Sequence, residues 1–201
     1  MCGIIGIVSR PPTRATPDAA ELIAGLDLAI TSLPADVHGA IAPTRAVDSA
    51  LKGLPGVLAL VGHVDLVAAI VARLDRLDSA TAAIEQRLDT NADQLDAEAL
   101  EHANAELIDL KDALWAIRHD RVRTAREVEA LAGRDAPASA LGGYLAVQQA
   151  FSAIDRLEVR GRDSAGLHVF VWGHDIDADA LAALVAERGN DALFQSGAVV
   201  N

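Results

Sequence analysis

Between Val57 and Leu131 apolar side chains recur at intervals of three and four residues. Val57, Leu60, Val64, Val67, Ile70, Val71, Leu74, Leu77, Ile84 and Leu88 form one series. Leu95, Leu100, Leu107, Leu110, Leu114, Ile117 and Val122 form a second. That interval follows the 3.6-residue turn of an α-helix and not the two-residue period of a strand. The series breaks at Asp89-Thr90-Asn91, and Gly133 supplies a stop. The pattern predicts two long antiparallel helices joined as an αα-hairpin, and alanine, leucine and charged residues suit them.

The rest of the composition narrows the class. Of 201 residues 51% are hydrophobic, enough for a sizeable core, so wholesale disorder is excluded. Aromatic residues are only 3%, too few for the stacking platforms that hold single-stranded nucleic acid. The formal charge of −12 repels phosphate backbones and anionic lipid surfaces, so neither nucleic acid nor membrane is the expected partner. One cysteine allows no intrachain disulfide and no Cys/His zinc cluster, and neither metal nor organic cofactor is expected. The most apolar stretch, 54–72, carries His63 and Asp65 at its middle, both costly in lipid, and reads as a buried helix. The N-terminus has no basic region ahead of its short apolar run, so the cytoplasm is the expected compartment.

Outside the hairpin the pattern is mixed. Cys2 to Val8 is β-branched and punctuated by glycine, and reads as a buried strand followed by a proline-bearing loop over 9–14. Thr16-Pro17-Asp18 is a helix start, and the helix is expected to run to about Leu33, ahead of Pro34. Ala35 to Thr44 reads as a loop. A helix is expected over 141–156, a strand over Leu167–Trp172, and a helix to Arg188 capped by Asp177 or Asp179.

Cys2 is the first candidate for chemistry. Methionine aminopeptidases remove Met1 ahead of a small side chain, which would leave a thiol and an α-amine on one residue. An α-amine with a pKa of ~7.7–8.0 is a working base near neutral pH, whereas a lysine near ~10.4 is mostly protonated. The amine can take the thiol proton and later protonate a leaving ammonia. Position alone reads equally as an ordinary thiol at a chain end.

The run Cys2-Gly3-Ile4-Ile5-Gly6-Ile7-Val8 and the later run Arg156-Leu157-Glu158-Val159-Arg160-Gly161-Arg162-Asp163-Ser164-Ala165-Gly166 occur in that order. Together they resemble the N-terminal-nucleophile (class II) glutamine amidotransferase domain of isomerising glutamine–fructose-6-phosphate aminotransferases, the glucosamine-6-phosphate synthases. The family pattern has tyrosines where this chain has Val159 and Arg162. The resemblance implies that Cys2 attacks the side-chain amide of L-glutamine, forming a γ-glutamyl thioester. It implies that Arg160 and Gly161 hold the nucleophile's backbone, and that Asp163 and Ser164 tie a turn. The implied fold is α+β: a partial αββα sandwich interrupted by the helical hairpin. Its parts would be a first strand and helix over 1–33, the helical insertion over 34–137 and an incomplete continuation over 138–201.

The family's Gly-His-Thr-Arg-Trp and His-Asn-Gly segments follow Asp-Ser-Ala-Gly and do not occur here. Gly62-His63-Val64-Asp65 and Gly173-His174-Asp175 lack the Arg-Trp that would make them substitutes, and read as helix and loop residues. The chain therefore reads as the front of such a domain, a fragment. An oxyanion hole is worth ~2.7–4 kcal/mol to an acyl transfer. Two functions follow from this sequence. In one, the chain is the glutaminase half of an amino-sugar-phosphate synthase, passing ammonia to a sugar-phosphate domain or subunit not in this chain. In the other, it is an inactive scaffold whose acidic hairpin binds a second copy or another protein.

Overall fold

The computed structural model describes residues 4–91, 96–157, 166–172 and 177–189. Among these residues there are eight α-helices and one π-helical segment. They are α1 (Ala19–Ser32), α2 (Val37–Ala50), α3 (Gly53–Leu60), α4 (Val64–Thr90), α5 (Ala97–Trp115), the π segment (Ala116–Val122), α6 (Arg123–Ala132), α7 (Ala138–Leu157) and α8 (Ala178–Arg188). The chain divides into two compact units, residues 1–165 and 166–201.

Three helix starts in the first unit, those of α1, α2 and α5, carry side-chain caps. The Asp18 carboxylate accepts the N–H groups of Ala20 (2.8 Å) and Glu21 (3.2 Å) at the head of α1. Asp36 accepts from Gly39 (2.7 Å) at α2, and Asp96 from Ala99 (2.7 Å) at α5. Each satisfies donors that the first helical turn leaves without an intrahelical partner. The cap of α1 is thus Asp18, two residues later than the Thr16 hydroxyl would place it. The first limb of the expected hairpin is two helices: α3 and α4 meet at 108°. Gly62 makes that corner, with φ of +78°, a conformation open to glycine and costly for a side chain bearing Cβ.

The second limb is continuous from α5 into α6, but it passes through the π segment. The sequence explains why. Leu107, Leu110, Leu114 and Ile117 are buried at intervals of three and four, and the next buried apolar residue is Val122, five residues on. A regular α-helix would turn Asp120 or Arg121 toward the core instead. The wider π turn absorbs the slip and returns Val122, Ala125 and Val128 to the buried face.

Packing within this unit draws on every part of the chain that the helices occupy. α1 packs on α2 and α4, α2 on α5, and α4 on α5, while α3 and α6 pack on α7. One core cluster holds Leu22 and Leu26 of α1, Leu74 and Leu77 of α4, Leu110 and Leu114 of α5, and Leu141 and Leu145 of α7. α4 and α5 are therefore walls of the core on which α1 also rests. A bidentate pair ties α1 to α4: the Arg73 guanidinium donates to both Asp27 carboxylate oxygens, at 2.8 and 2.9 Å. It holds the Asp27 carboxyl below its ordinary pKa.

Several expectations are corrected here. Ala35–Thr44 is not a loop but most of α2, whose buried Ala40, Ile41, Thr44 and Val47 keep helical spacing despite Pro43. No residue among those described is in a β-strand. Of the two segments expected as strands, 2–8 and 167–172, the described residues 4–8 and 167–172 have no strand partner among the described residues and lie exposed, Ile4 at 98% and Trp172 at 84%. A strand exists only as part of a hydrogen-bonded ladder, so β-branched residues alone do not make one. The α+β αββα sandwich is therefore not the observed fold, and the assignment to class II, N-terminal-nucleophile glutamine amidotransferases falls with it. That assignment rested on two short runs, while the architecture is set by the helical periodicity between them.

No single helix among the described residues is long and apolar enough to cross a membrane. The bent pair of α3 and α4 carries the stretch 54–72, and buries Val57, Leu60 and Ile70 in the core.

The second unit contains α8 (Ala178–Arg188); of the two expected caps Asp177 holds the N-cap position, but its side chain makes no capping hydrogen bond, and Gly189 is the C-cap. All its described residues except the half-buried Gly189 are exposed.

Candidate functional site

The residues singled out from the sequence are not what the structure brings together. Cys2, Arg160 and Gly161 lie outside the described residues, as do Asp163, Ser164 and His174. His63 is the N-cap of α4, exposed and making no side-chain cap.

The arrangement richest in polar groups is a cleft of about 280 Å³ beside the π segment. Asp120 and Arg121 of the π segment, Arg123 and Thr124 of α6, and Gln148, Gln149, Ser152 and Arg156 of α7 line it. Leu51, Val57 and Leu145 supply an apolar wall. Gly53, the first residue of α3, reaches its edge, and the α3 N-cap residue, Lys52, offers no side-chain cap to the helix's first turn. A larger, shallower hollow of about 570 Å³ lies along α1 and α4, but its Asp75 is already bonded to Arg118 (2.8 Å).

The charges around the cleft are held in a defined order. Asp48 of α2, only 9% exposed, accepts from Arg121 Nε at 2.9 Å and from Lys52 Nζ at 3.1 Å, so two cations share one carboxylate. A buried carboxylate needs such partners to offset its desolvation. Arg14 donates to the carbonyl oxygens of Ser49 (2.9 Å) and Ala50 (3.4 Å) at the end of α2, adding a further cation near by. On the other wall Gln148, 5% exposed, donates to Glu127 Oε2 (2.6 Å) and Ser152 Oγ (2.8 Å). Arg123 meets Glu127 Oε1 only at 3.6 Å. Arg156 forms no ion pair among the described residues.

At the α3–α4 corner, the Glu129 carboxylate accepts the Gly62 N–H (3.1 Å) and the Arg134 Nε–H (3.3 Å). The Gly62 bond, aided by Arg134 and opposed by burial, keeps the Glu129 carboxyl below its ordinary pKa.

Sequence reasoning passed over this cleft, although a signal was there. Residues 118–126 read Arg-His-Asp-Arg-Val-Arg-Thr-Ala-Arg, a concentration of arginine in a chain with 29 acidic residues against 17 basic ones. Of these arginines Arg121 and Arg123 reach the cleft, while Arg118 turns to Asp75 and Asp78 of α4.

The second unit presents a different kind of surface. Val169, Phe170, Val171 and Trp172 are 60–84% exposed, and Leu181, Leu184 and Val185 of α8 are 48–55% exposed. The Phe170 and Trp172 rings stack at 6.2 Å.

No family model, no curated protein and no solved structure matches the chain.

Proposed function

We propose that the chain binds another protein, using apolar surface presented by its second unit. The observation that carries this reading is the exposure of large apolar side chains over 167–172 and along α8. Soluble proteins seldom expose contiguous apolar groups of this size unless a partner covers them. Leu181, Leu184 and Val185 stand at i, i+3 and i+4, the spacing by which an amphipathic helix enters an apolar groove.

Charge narrows the partner. Asp177, Asp179 and Glu187 border the apolar positions of α8, and the whole chain carries −12. Two copies of so acidic a chain repel one another, whereas a groove rimmed by lysine and arginine gains both steering and register. The partner is therefore a protein with an apolar groove and a basic rim.

A photo-cross-linker placed at the exposed Ala182 tests this in cells. One discrete adduct is expected, lost in Leu184→Asp while far-UV circular dichroism is unchanged. Absence of an adduct, or an adduct indifferent to Leu184→Asp, overturns the reading. Release of glutamate from glutamine by the wild-type chain, abolished in Cys2→Ala, would favour hydrolysis instead.

A further inference from the structure

We propose that the cleft beside the π segment is a binding site for a phosphate group, free or carried by a small monoester. Three independent features converge on that chemistry.

The first is charge. Arg121, Arg123 and Arg156 line it against one carboxylate, Asp120, a local surplus of cation in a chain with 12 more acidic than basic residues; Asp48 and Glu127 enter only as partners of Arg121 and Arg123. The surplus is available to a ligand. Asp48 is shared by two cations, Arg123 holds Glu127 at the long distance of 3.6 Å, and Arg156 is unpaired among the described residues. Guanidinium forks match the oxygen spacing of a phosphate and stay charged at any working pH.

The second is the donor set. Thr124 and Ser152 bring hydroxyls, and Gln149 an amide, to the same cleft as Arg123 and Arg156. A tetrahedral dianion has three or four acceptor oxygens to satisfy, and this set offers donors from α6 and from α7. At Gly53 the N-terminus of α3 adds the Gly53 and Leu54 amides, which no side chain caps (Pro55 has none), and a dipole that favours an anion.

The third is shape. The cleft's 280 Å³ is near the lower end of the range for small-molecule sites. It admits a phosphate and a few carbon atoms, for which Leu51, Val57 and Leu145 provide the apolar wall. The π turn is what makes the room: by returning Val122 to the core it leaves Asp120 and Arg121 on the cleft side of the rod. π turns inside longer helices recur at functional sites for this reason.

Isothermal titration of the full chain at constant ionic strength tests the site, with inorganic phosphate and glycerol 3-phosphate as separate probes. Saturable one-to-one binding is expected for at least one probe, and the better probe distinguishes free phosphate from a monoester. Arg123→Gln and Arg156→Gln are each expected to weaken binding at least tenfold, with helical circular dichroism unchanged because both side chains are exposed. Arg156→Lys keeps the charge but not the fork and should recover part of the loss. Lys111→Gln, which breaks a pair with Glu85 outside the cleft, should bind like the wild type. No saturable heat with either probe, or wild-type affinity in both glutamine variants, overturns the proposal.

Discussion

Replacing Leu74 by alanine strikes the core where α4 meets its neighbours. Leu74 is fully buried (0% exposed) and belongs to the cluster that includes Leu22 and Leu26 of α1 and Leu110 of α5. Removing its isobutyl end forfeits transfer free energy and leaves a cavity that helices on several sides cannot all relax to fill. Such changes cost about 2–5 kcal/mol. Taking ~3 kcal/mol, and about 2–4 °C per kcal/mol for a unit of this size, Tm should fall by about 6–12 °C. Leu28 of α1 is the control. It is 58% exposed, so the same substitution removes little buried surface, and Leu28→Ala should stay within ~0.5 kcal/mol of wild type. Urea unfolding followed at 222 nm gives both values. Equal losses in the two variants, or a loss below ~1 kcal/mol for Leu74→Ala, would refute a core in which α4 is a central wall.

The Glu129 corner predicts a pH effect. Its folded pKa lies below the ordinary value of 4.5, so the stabilisation it gives is present above that pH and is lost as pH falls through the folded value. Glu129→Gln can still accept from Gly62 but cannot titrate, so Tm measured between about pH 5 and pH 3 should fall less steeply than in the wild type. Superimposable acid limbs would contradict the assignment. Gly62→Ala strikes the same corner from its other side and should lower Tm at every pH by forcing a side chain into positive φ, at about 1–2 kcal/mol.

The helical body was legible where period and caps agreed. Leu107, Leu110 and Leu114 announce a helix. Residues 35–44 are harder to read: Gly39 and Pro43 are poor helix formers, while the Asp36 cap and the burial of Ala40, Ile41, Thr44 and Val47 at helical spacing are what make 37–50 a helix. The π turn left a trace, the five-residue step from Ile117 to Val122, which is visible once the burial of both is known. Segments 4–8 and 167–172 misled for a different reason. Strand preference is local, but a ladder is not, and no local count of valine and isoleucine supplies the second strand. The cleft was the least legible feature. Arg123 of α6 and Arg156 of α7 stand 33 residues apart and line one cleft because α6 packs on α7.

Backbone chemical shifts and long-range NOEs of the full chain test the central claim, that this sequence forms a helical body and not a layered sandwich. The account predicts helical carbon shifts through 19–32, 37–50 and 97–132, with no cross-strand NOEs over 4–8 or 167–172. Extended shifts across 37–44, or cross-strand NOEs that pair either segment into a sheet, would contradict it.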